Sequence, residues 1–159
     1  MIKTLSKSIR EFKKPAILTP ILVVGEVILE CIIPFVIANL VNEMQAGCGM
    51  DVIVQYGLQL IIMAVLSPIL GVAAGNTCAT ASTGFARNLR QDMFYHIQDY
   101  SFENIDKFSV SSLVTRMTTD VMNVQMSFMM IIRVATRGPL MLIFSFIMGF
   151  AMGGRLAMI

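Results

Sequence analysis

The sequence predicts an all-α membrane protein with an interfacial helix followed by three long transmembrane helices. Of its 159 residues, 56% are hydrophobic and 14% are charged, and the mean hydropathy is +0.75. Soluble domains are about 45–50% apolar and about 25% charged, so this composition argues against one. No Asp, Glu, Lys or Arg occurs from Val52 to Ala86, which exceeds the length needed to span a bilayer. Helices are expected because isolated strands would leave their backbone groups unsatisfied in lipid.

The residue content also argues against several kinds of site. Cys31, Cys48 and Cys78 are an odd, sparse set without metal-type spacing, which predicts neither a disulfide scaffold nor a metal site. His96 is the single histidine, so a His-ligated metal or a catalytic triad has little to build on. There is no Gly-rich phosphate loop and no nucleophile beside a base, so we expect no catalytic, cofactor-binding or metal residue in this chain. A net charge of +2 is too small to indicate a nucleic-acid partner.

Residues 1–14 are predicted to form a helix lying in the membrane interface. On a helical wheel, one side is apolar and the other is basic, the pattern of an interfacial helix; the two sets are Ile2, Leu5, Ile9 and Phe12 against Lys3, Lys7, Arg10 and Lys14. Basic residues before an apolar run also fit a signal peptide. That run is too long for one and contains two glutamates, so we expect the segment to be retained.

Three spans follow, at about 15–42, about 52–100 and about 112–154, and a turn over 101–112 joins the last two. Apolar residues recur at helical spacing beyond the uncharged part of the second span and at the start of the third; they are Phe85, Leu89, Met93 and Ile97, then Leu113, Met117, Val121, Val124, Phe128 and Ile131. A helix over 52–100 would be about 73 Å long, against about 30 Å of hydrocarbon. Both helices are therefore expected to extend together into the cytoplasm.

The distribution of Lys and Arg predicts the orientation. The first 14 residues are rich in Lys and Arg, whereas the loop between the first two spans, 43–51, has none. The segment between the uncharged parts of the second and third spans, Val52–Ala86 and Gly138–Gly154, carries six, namely Arg87, Arg90, Lys107, Arg116, Arg133 and Arg137. The N-terminus and this second loop are therefore predicted to be cytoplasmic, with Cys48 outside.

Two acidic residues interrupt the first span. Glu26 and Glu30 lie four residues apart, hence on one helix face, and an ionisable residue within a span is by default a candidate functional site. Either they line a water-filled substrate cavity that favours cationic compounds, or they pair with polar groups between helices. In the second span, a line of small residues predicts close helix packing; it consists of Gly71, Gly75, Ala79 and Thr83.

Three segments carry a resemblance to a known family. They are Ser8 to Ile17 (SIREFKKPAI), Asn88 to Gln98 (NLRQDMFYHIQ) and Ser101 to Gln125 (SFENIDKFSVSSLVTRMTTDVMNVQ). Together they resemble the N-terminal half of the transmembrane domain of a bacterial ABC exporter, of the multidrug or lipid half-transporter type with a fused ATPase domain. Residues 1–14 would then be its elbow helix, and the chain would be a multi-pass protein of the bacterial plasma membrane.

The resemblance also implies partners and a coupling site. A short coupling helix would fall at about Phe102–Phe108 and dock on a nucleotide-binding domain through Phe102, Ile105, Asp106 and Phe108. The three apolar side chains of this set, Phe102, Ile105 and Phe108, could otherwise simply cap the hairpin at its polar tip. ATP and Mg would be cofactors of that absent domain. A second half-transporter, identical or different, and a small-molecule, peptide or lipid substrate would complete the set of partners.

The end of the sequence gives a further expectation. A turn at Gly153-Gly154 is followed by the start of another apolar segment, so the chain is expected to be a piece of a longer protein. Spans four to six and the ATPase domain of the family are missing from it. The alternative is a self-contained three-span scaffold or regulatory subunit, with the helical hairpin as its docking arm.

Overall fold

The structure is a computed structural model that describes residues 8–99 and 110–153. Within them the chain is helical, and its elements in order are a 3₁₀ turn (Arg10–Phe12), α1 (Lys13–Gln45), α2 (Met50–Gln98), α3 (Val110–Thr115), a π-helical segment (Arg116–Asp120) and α4 (Val121–Gly153). The last three follow one another without a break. The ranges Arg10–Gln45, Met50–Gln98 and Ser111–Phe150 are long and apolar enough to cross a membrane. The predicted all-helical membrane fold with three long helices is therefore confirmed.

Helix α2 is the longest element, with 49 residues. At 1.5 Å per residue it extends about 74 Å, more than twice the thickness of a hydrocarbon core of about 30 Å. The turn before it is tight because Gly47 takes a φ of +81°, in the left-handed region that glycine adopts without a steric penalty. The amide of Cys48 donates to the carbonyl of Glu43 across this turn, at 3.1 Å. Consequently α1 and α2 run antiparallel as packed neighbours.

The core lies where α1, α2 and α4 meet. Val23 and Val27 of α1 and Ala74 of α2 are fully buried, and four partly buried side chains surround them, namely Leu22, Cys31, Leu140 and Phe144. Hydroxyl groups also link the helices, since the Oγ1 atoms of Thr19 and Thr77 lie 3.0 Å apart. Most of the other large apolar side chains on these helices point outward, as expected for surfaces that face lipid or further helices.

The prediction that a line of small residues on α2 packs closely against other helices is correct for only two of its four residues. Gly71 is buried and Gly75 is half-buried, but Ala79 and Thr83 are exposed. Successive steps of four residues advance about 40° around a helix of 3.6 residues per turn, so the line drifts off the packed face. The buried positions instead alternate steps of three and four; they are Gly71, Ala74, Cys78, Ala81 and Phe85.

A similar correction applies to the apolar stripe of the third long helix. Val121 is buried, and the ring of Phe128 stacks on Phe85 of α2 with centroids 4.6 Å apart. Ile131, however, is 64% exposed, whereas its neighbour Ile132 is only 8% exposed. Ile131 and Ile132 lie three and four residues after Phe128, and either spacing is compatible with one helix face. In the structure it is Ile132 that continues the buried face.

The beginning of the described chain is attached to α2. The Ser8 hydroxyl donates to Asp92 Oδ2 at 2.7 Å, and Arg10 forms an ion pair with the same carboxylate. Asn88, itself buried, donates from Nδ2 to the Ser8 carbonyl at 3.0 Å. Of the predicted interfacial helix over 1–14, residues 1–7 lie outside the described part of the chain.

The ring of Phe12 completes this attachment. It lies against Gly84 so closely that a Cβ atom there would overlap the ring. The absence of a side chain on Gly84 therefore lets the start of α1 pack on α2 at this level.

Candidate functional site

A cluster of three charged side chains joins α1 to α4. Arg137 of α4 donates from Nη1 to Glu26 Oε1 at 3.1 Å. Its Nη2 donates to both oxygens of Glu30, at 2.8 and 2.7 Å. The two glutamates share a face because they lie one turn apart on α1, and the planar guanidinium reaches both at once. The structure therefore brings together both glutamates predicted from the sequence and adds an arginine as their common partner.

The cluster has a closed side and an open side. The Glu26 side chain is 9% exposed, whereas Glu30 and Arg137 are 29% and 35% exposed. Glu26 Oε2 is buried and accepts no hydrogen bond from any described residue. Leaving a buried acceptor unpaired costs stability, so Glu26 is the least satisfied member of the cluster.

Glycine on α2 makes room for the buried carboxylate. A Cβ atom at Gly71 would lie 2.9 Å from Glu26 Oε1, closer than such atoms approach one another in proteins. One turn further along α2, a Cβ atom at Gly75 would lie 3.4 Å from Nη1 of Arg133. Gly71 thus lets the Glu26 carboxylate pass close to the α2 backbone, which is a more specific role than general helix packing. A Cβ atom at Gly75 would make only an ordinary van der Waals contact with Arg133.

Arg133 lies one turn before Arg137 on α4 but is not part of the cluster. It is half-buried and forms no ion pair with any residue in the described ranges. The formal charge of the three-residue cluster is negative, because two carboxylates face one guanidinium. Arg133 supplies a nearby positive charge that offsets this excess over a longer distance.

Sequence reasoning missed Arg137 because it was counted as a loop residue. Glu26 lies about 20 Å along α1 from its first residue, so its partner Arg137 lies at the depth of the apolar spans. Counting Arg133 and Arg137 among the charges of the second loop was therefore wrong. The available signal was an unmatched arginine within the third apolar segment, since charges within spans pair with one another.

The remaining predicted site residues lie elsewhere. The proposed coupling residues Phe102, Ile105, Asp106 and Phe108 fall outside the described part of the chain. Among residues 8–99 and 110–153, no three His, Cys, Asp or Glu side chains group closely enough to hold a metal ion. The cluster around Arg137 can hold two helices together and can exchange partners with a charged ligand.

Comparison with known proteins agrees with the architecture. Residues 16–159 match the family model for the ABC transporter transmembrane region. The chain is 29% identical over 136 residues to the uncharacterised ABC transporter ATP-binding protein YfiB of Bacillus subtilis (strain 168), covering 86% of this chain and 24% of that protein. It is 25% identical over 148 residues to the similarly described MT1311 of Mycobacterium tuberculosis, covering 93% and 25%. The chain thus spans about a quarter of the length of these relatives.

Removing the shared guanidinium should destabilise the helix assembly. Arg137→Gln leaves Glu26 buried without a counter-charge, so the free energy of unfolding of the full-length protein should fall by about 3 kcal/mol. The matched control is Arg133→Gln, one turn away on the same helix, which breaks no ion pair and should cost less than about 1 kcal/mol. Unfolding in detergent measures both, and equal losses would show that the cluster contributes nothing specific.

Proposed function

Because this chain belongs to the ABC transporter transmembrane region family, we propose that it forms part of the permease domain of an ATP-driven exporter. In this proposal it contributes one side of the substrate pathway and the first intracellular loop. The observation that carries it is the length of α2, which continues well past the thickness of a bilayer. The family match favours this function over a self-contained scaffold.

The proposed partner of the intracellular loop is a nucleotide-binding domain. The matched relatives are described as ABC transporter ATP-binding proteins and are about four times longer than the matched segment. That description supports an ATPase domain elsewhere in the full-length protein, with ATP and Mg as its ligands. A second half-transporter, identical or different, would complete the substrate pathway between the two membrane domains.

Segment Phe102–Phe108 is the proposed contact between the two kinds of domain. It follows α2 directly and precedes α3, so motion of a bound ATPase domain would be transmitted along two long helices. Its apolar residues would occupy a groove on the ATPase domain, in the manner of helix-in-groove recognition. The charged cluster near Arg137 lies far along the same helices from this contact.

Substitution of Phe102 tests this coupling. An interface anchor typically contributes more than about 1 kcal/mol, so Phe102→Ala should reduce substrate stimulation of ATP hydrolysis about fivefold, together with transport. Substrate affinity should stay nearly unchanged because the membrane pathway is untouched. Asp106→Ala, at a solvated rim, should have a smaller effect. ATPase rates with and without a transported compound measure both, and normal stimulation in Phe102→Ala would reduce the segment to a hairpin cap.

We further propose that the open side of the charged cluster contributes to substrate selection. Glu30 and Arg137 are partly exposed, and the excess negative charge of the cluster favours a positively charged compound. Such a compound would compete with Arg137 for Glu30, while Glu26 stays buried behind them. The substrate class in this proposal is therefore small organic cations.

Neutralising Glu30 tests this selectivity. A unit charge about 4 Å away contributes about 1 kcal/mol even at the dielectric constant of water. Glu30→Gln should therefore lower transport of a cationic compound, relative to a neutral one, by about fivefold. Glu43→Gln is the control, because Glu43 is exposed in the last turn of α1. An unchanged ratio at equal expression would leave the cluster with an interhelical role alone.

The proposed orientation has the N-terminus and the intracellular loop in the cytoplasm and the α1–α2 turn outside. It rests on the Lys and Arg asymmetry, which persists without Arg133 and Arg137 because the α1–α2 turn has no basic residue. The bacterial plasma membrane is the proposed location. The proposed orientation depends only on the Lys and Arg content of the segments on the two sides of the membrane.

Thiol labelling tests the orientation. A membrane-impermeant maleimide applied to intact cells should label Cys48, which is partly exposed in the α1–α2 turn. The same reagent should label the Gln98→Cys variant only after the membrane is opened. Cys48→Ser provides the background control. Labelling at position 98 in intact cells, with Cys48 protected, would reverse the topology.

A further inference from the structure

The start of α1 and the charged end of α2 lie at one level of the molecule. Lys13 and Lys14 are the last basic residues before the apolar part of α1, and Arg87 is the first charged residue after the uncharged run of α2. The contact between Phe12 and Gly84 brings these two boundaries together. Since each helix passes there from an apolar to a charged sequence, this level coincides with a membrane–water boundary.

A crevice of about 410 Å³ opens at this level. It is lined by Phe12, Ala79, Thr80, Thr83, Gly84 and Arg87. Along α2 these residues extend about 12 Å from Ala79 in the apolar part to Arg87 at the charged end. The crevice therefore runs across the boundary, with one end at membrane depth and the other among charges.

The walls of the crevice are apolar despite the two threonines. Thr80 Oγ1 donates to the Asn76 carbonyl at 2.9 Å, and Thr83 Oγ1 donates to the Ala79 carbonyl at 2.8 Å. Because each hydroxyl donates to its own helix, it has no proton left for a ligand. With Ala79 and the Phe12 ring, the methyl groups make a surface suited to a hydrocarbon chain.

Arg87 lines the charged end of the crevice, and Lys13 and Lys14 follow Phe12 in the sequence at the same level. Within the described residues, Arg87, Lys13 and Lys14 are exposed or half-exposed and form no ion pair, whereas Arg10 is occupied by Asp92. Glu11 is the acidic residue beside them in sequence, so the balance at this end stays positive. Unpaired basic groups at a membrane surface attract anionic headgroups.

From this arrangement we propose that the crevice is a binding site for one anionic phospholipid. The phosphate is held by Arg87, Lys13 and Lys14 add positive charge at the same level, and an acyl chain lies against Phe12 and the wall of α2. The combination of an apolar slot with an unpaired cation at its outer end selects a lipid over a free phosphate, because a soluble anion gains nothing from the slot.

Lipid binding to the full-length protein tests this site. Native mass spectrometry of the purified protein, titrated with phosphatidylglycerol or phosphatidylcholine, should show a retained phosphatidylglycerol molecule and weaker retention of phosphatidylcholine. Arg87→Gln should weaken phosphatidylglycerol binding about fivefold, as expected for loss of one basic residue near an anionic surface. Arg90→Gln, one turn further and outside the crevice, should change it less than twofold. Equal effects of the two variants would indicate diffuse attraction and overturn the site.

A second variant tests the apolar part without changing charge. Thr83 is exposed, so Thr83→Trp fills the crevice without displacing core side chains. It should weaken phosphatidylglycerol binding as much as Arg87→Gln does, with an unchanged unfolding temperature. Binding equal to that of the unsubstituted protein would mean that no acyl chain occupies the crevice. Neither experiment depends on transport, so both stand apart from the exporter proposal.

Discussion

The Arg137 guanidinium, shared by Glu26 and Glu30, is the interaction on which the helix arrangement depends. Lipid offers no alternative partner for these charges, and separating α1 from α4 would leave a carboxylate stranded in hydrocarbon. The few buried apolar side chains near it, Val23, Val27 and Ala74, form too small a core to define the packing alone. The close approach of the α2 backbone to α1 accommodates this cluster.

The path of α2 shows that accommodation most directly. At Gly71 the Glu26 carboxylate occupies the space that a side chain would need, and one turn further along α2 Gly75 lies next to Arg133 at an ordinary contact distance. Beyond the cluster, Phe85 stacks on Phe128, and the N-terminal segment is held by a hydrogen bond from Asn88 and an ion pair with Asp92. Polar pairing and apolar packing thus act together along the same three helices.

The sequence was sufficient for the architecture because the apolar runs and their lengths depend on the bilayer rather than on tertiary detail. It identified Glu26 and Glu30 as unusual, because charge within a span is costly wherever it occurs. An arginine within the third apolar segment could be recognised as a candidate partner, but its pairing with both glutamates could not be assigned, since that pairing depends on helix rotation. The same limit explains the errors at Ala79, Thr83 and Ile131, because a rotation of about 40–100° about the helix axis is enough to move a side chain off the packed face.

The π-helical segment Arg116–Asp120 has a consequence for how the third long helix is oriented about its axis. A π turn accommodates one more residue than an α turn within an otherwise continuous helix. The extra residue rotates the following helix by about 100° about its axis. The side chains of α3 can therefore face in directions that do not depend on the rotation that the Arg137 ion pairs require of α4. Along the third long helix, the side chains of α3 and those of α4 therefore follow two different rotational settings about the helix axis. The change from one setting to the other occurs at the widened turn.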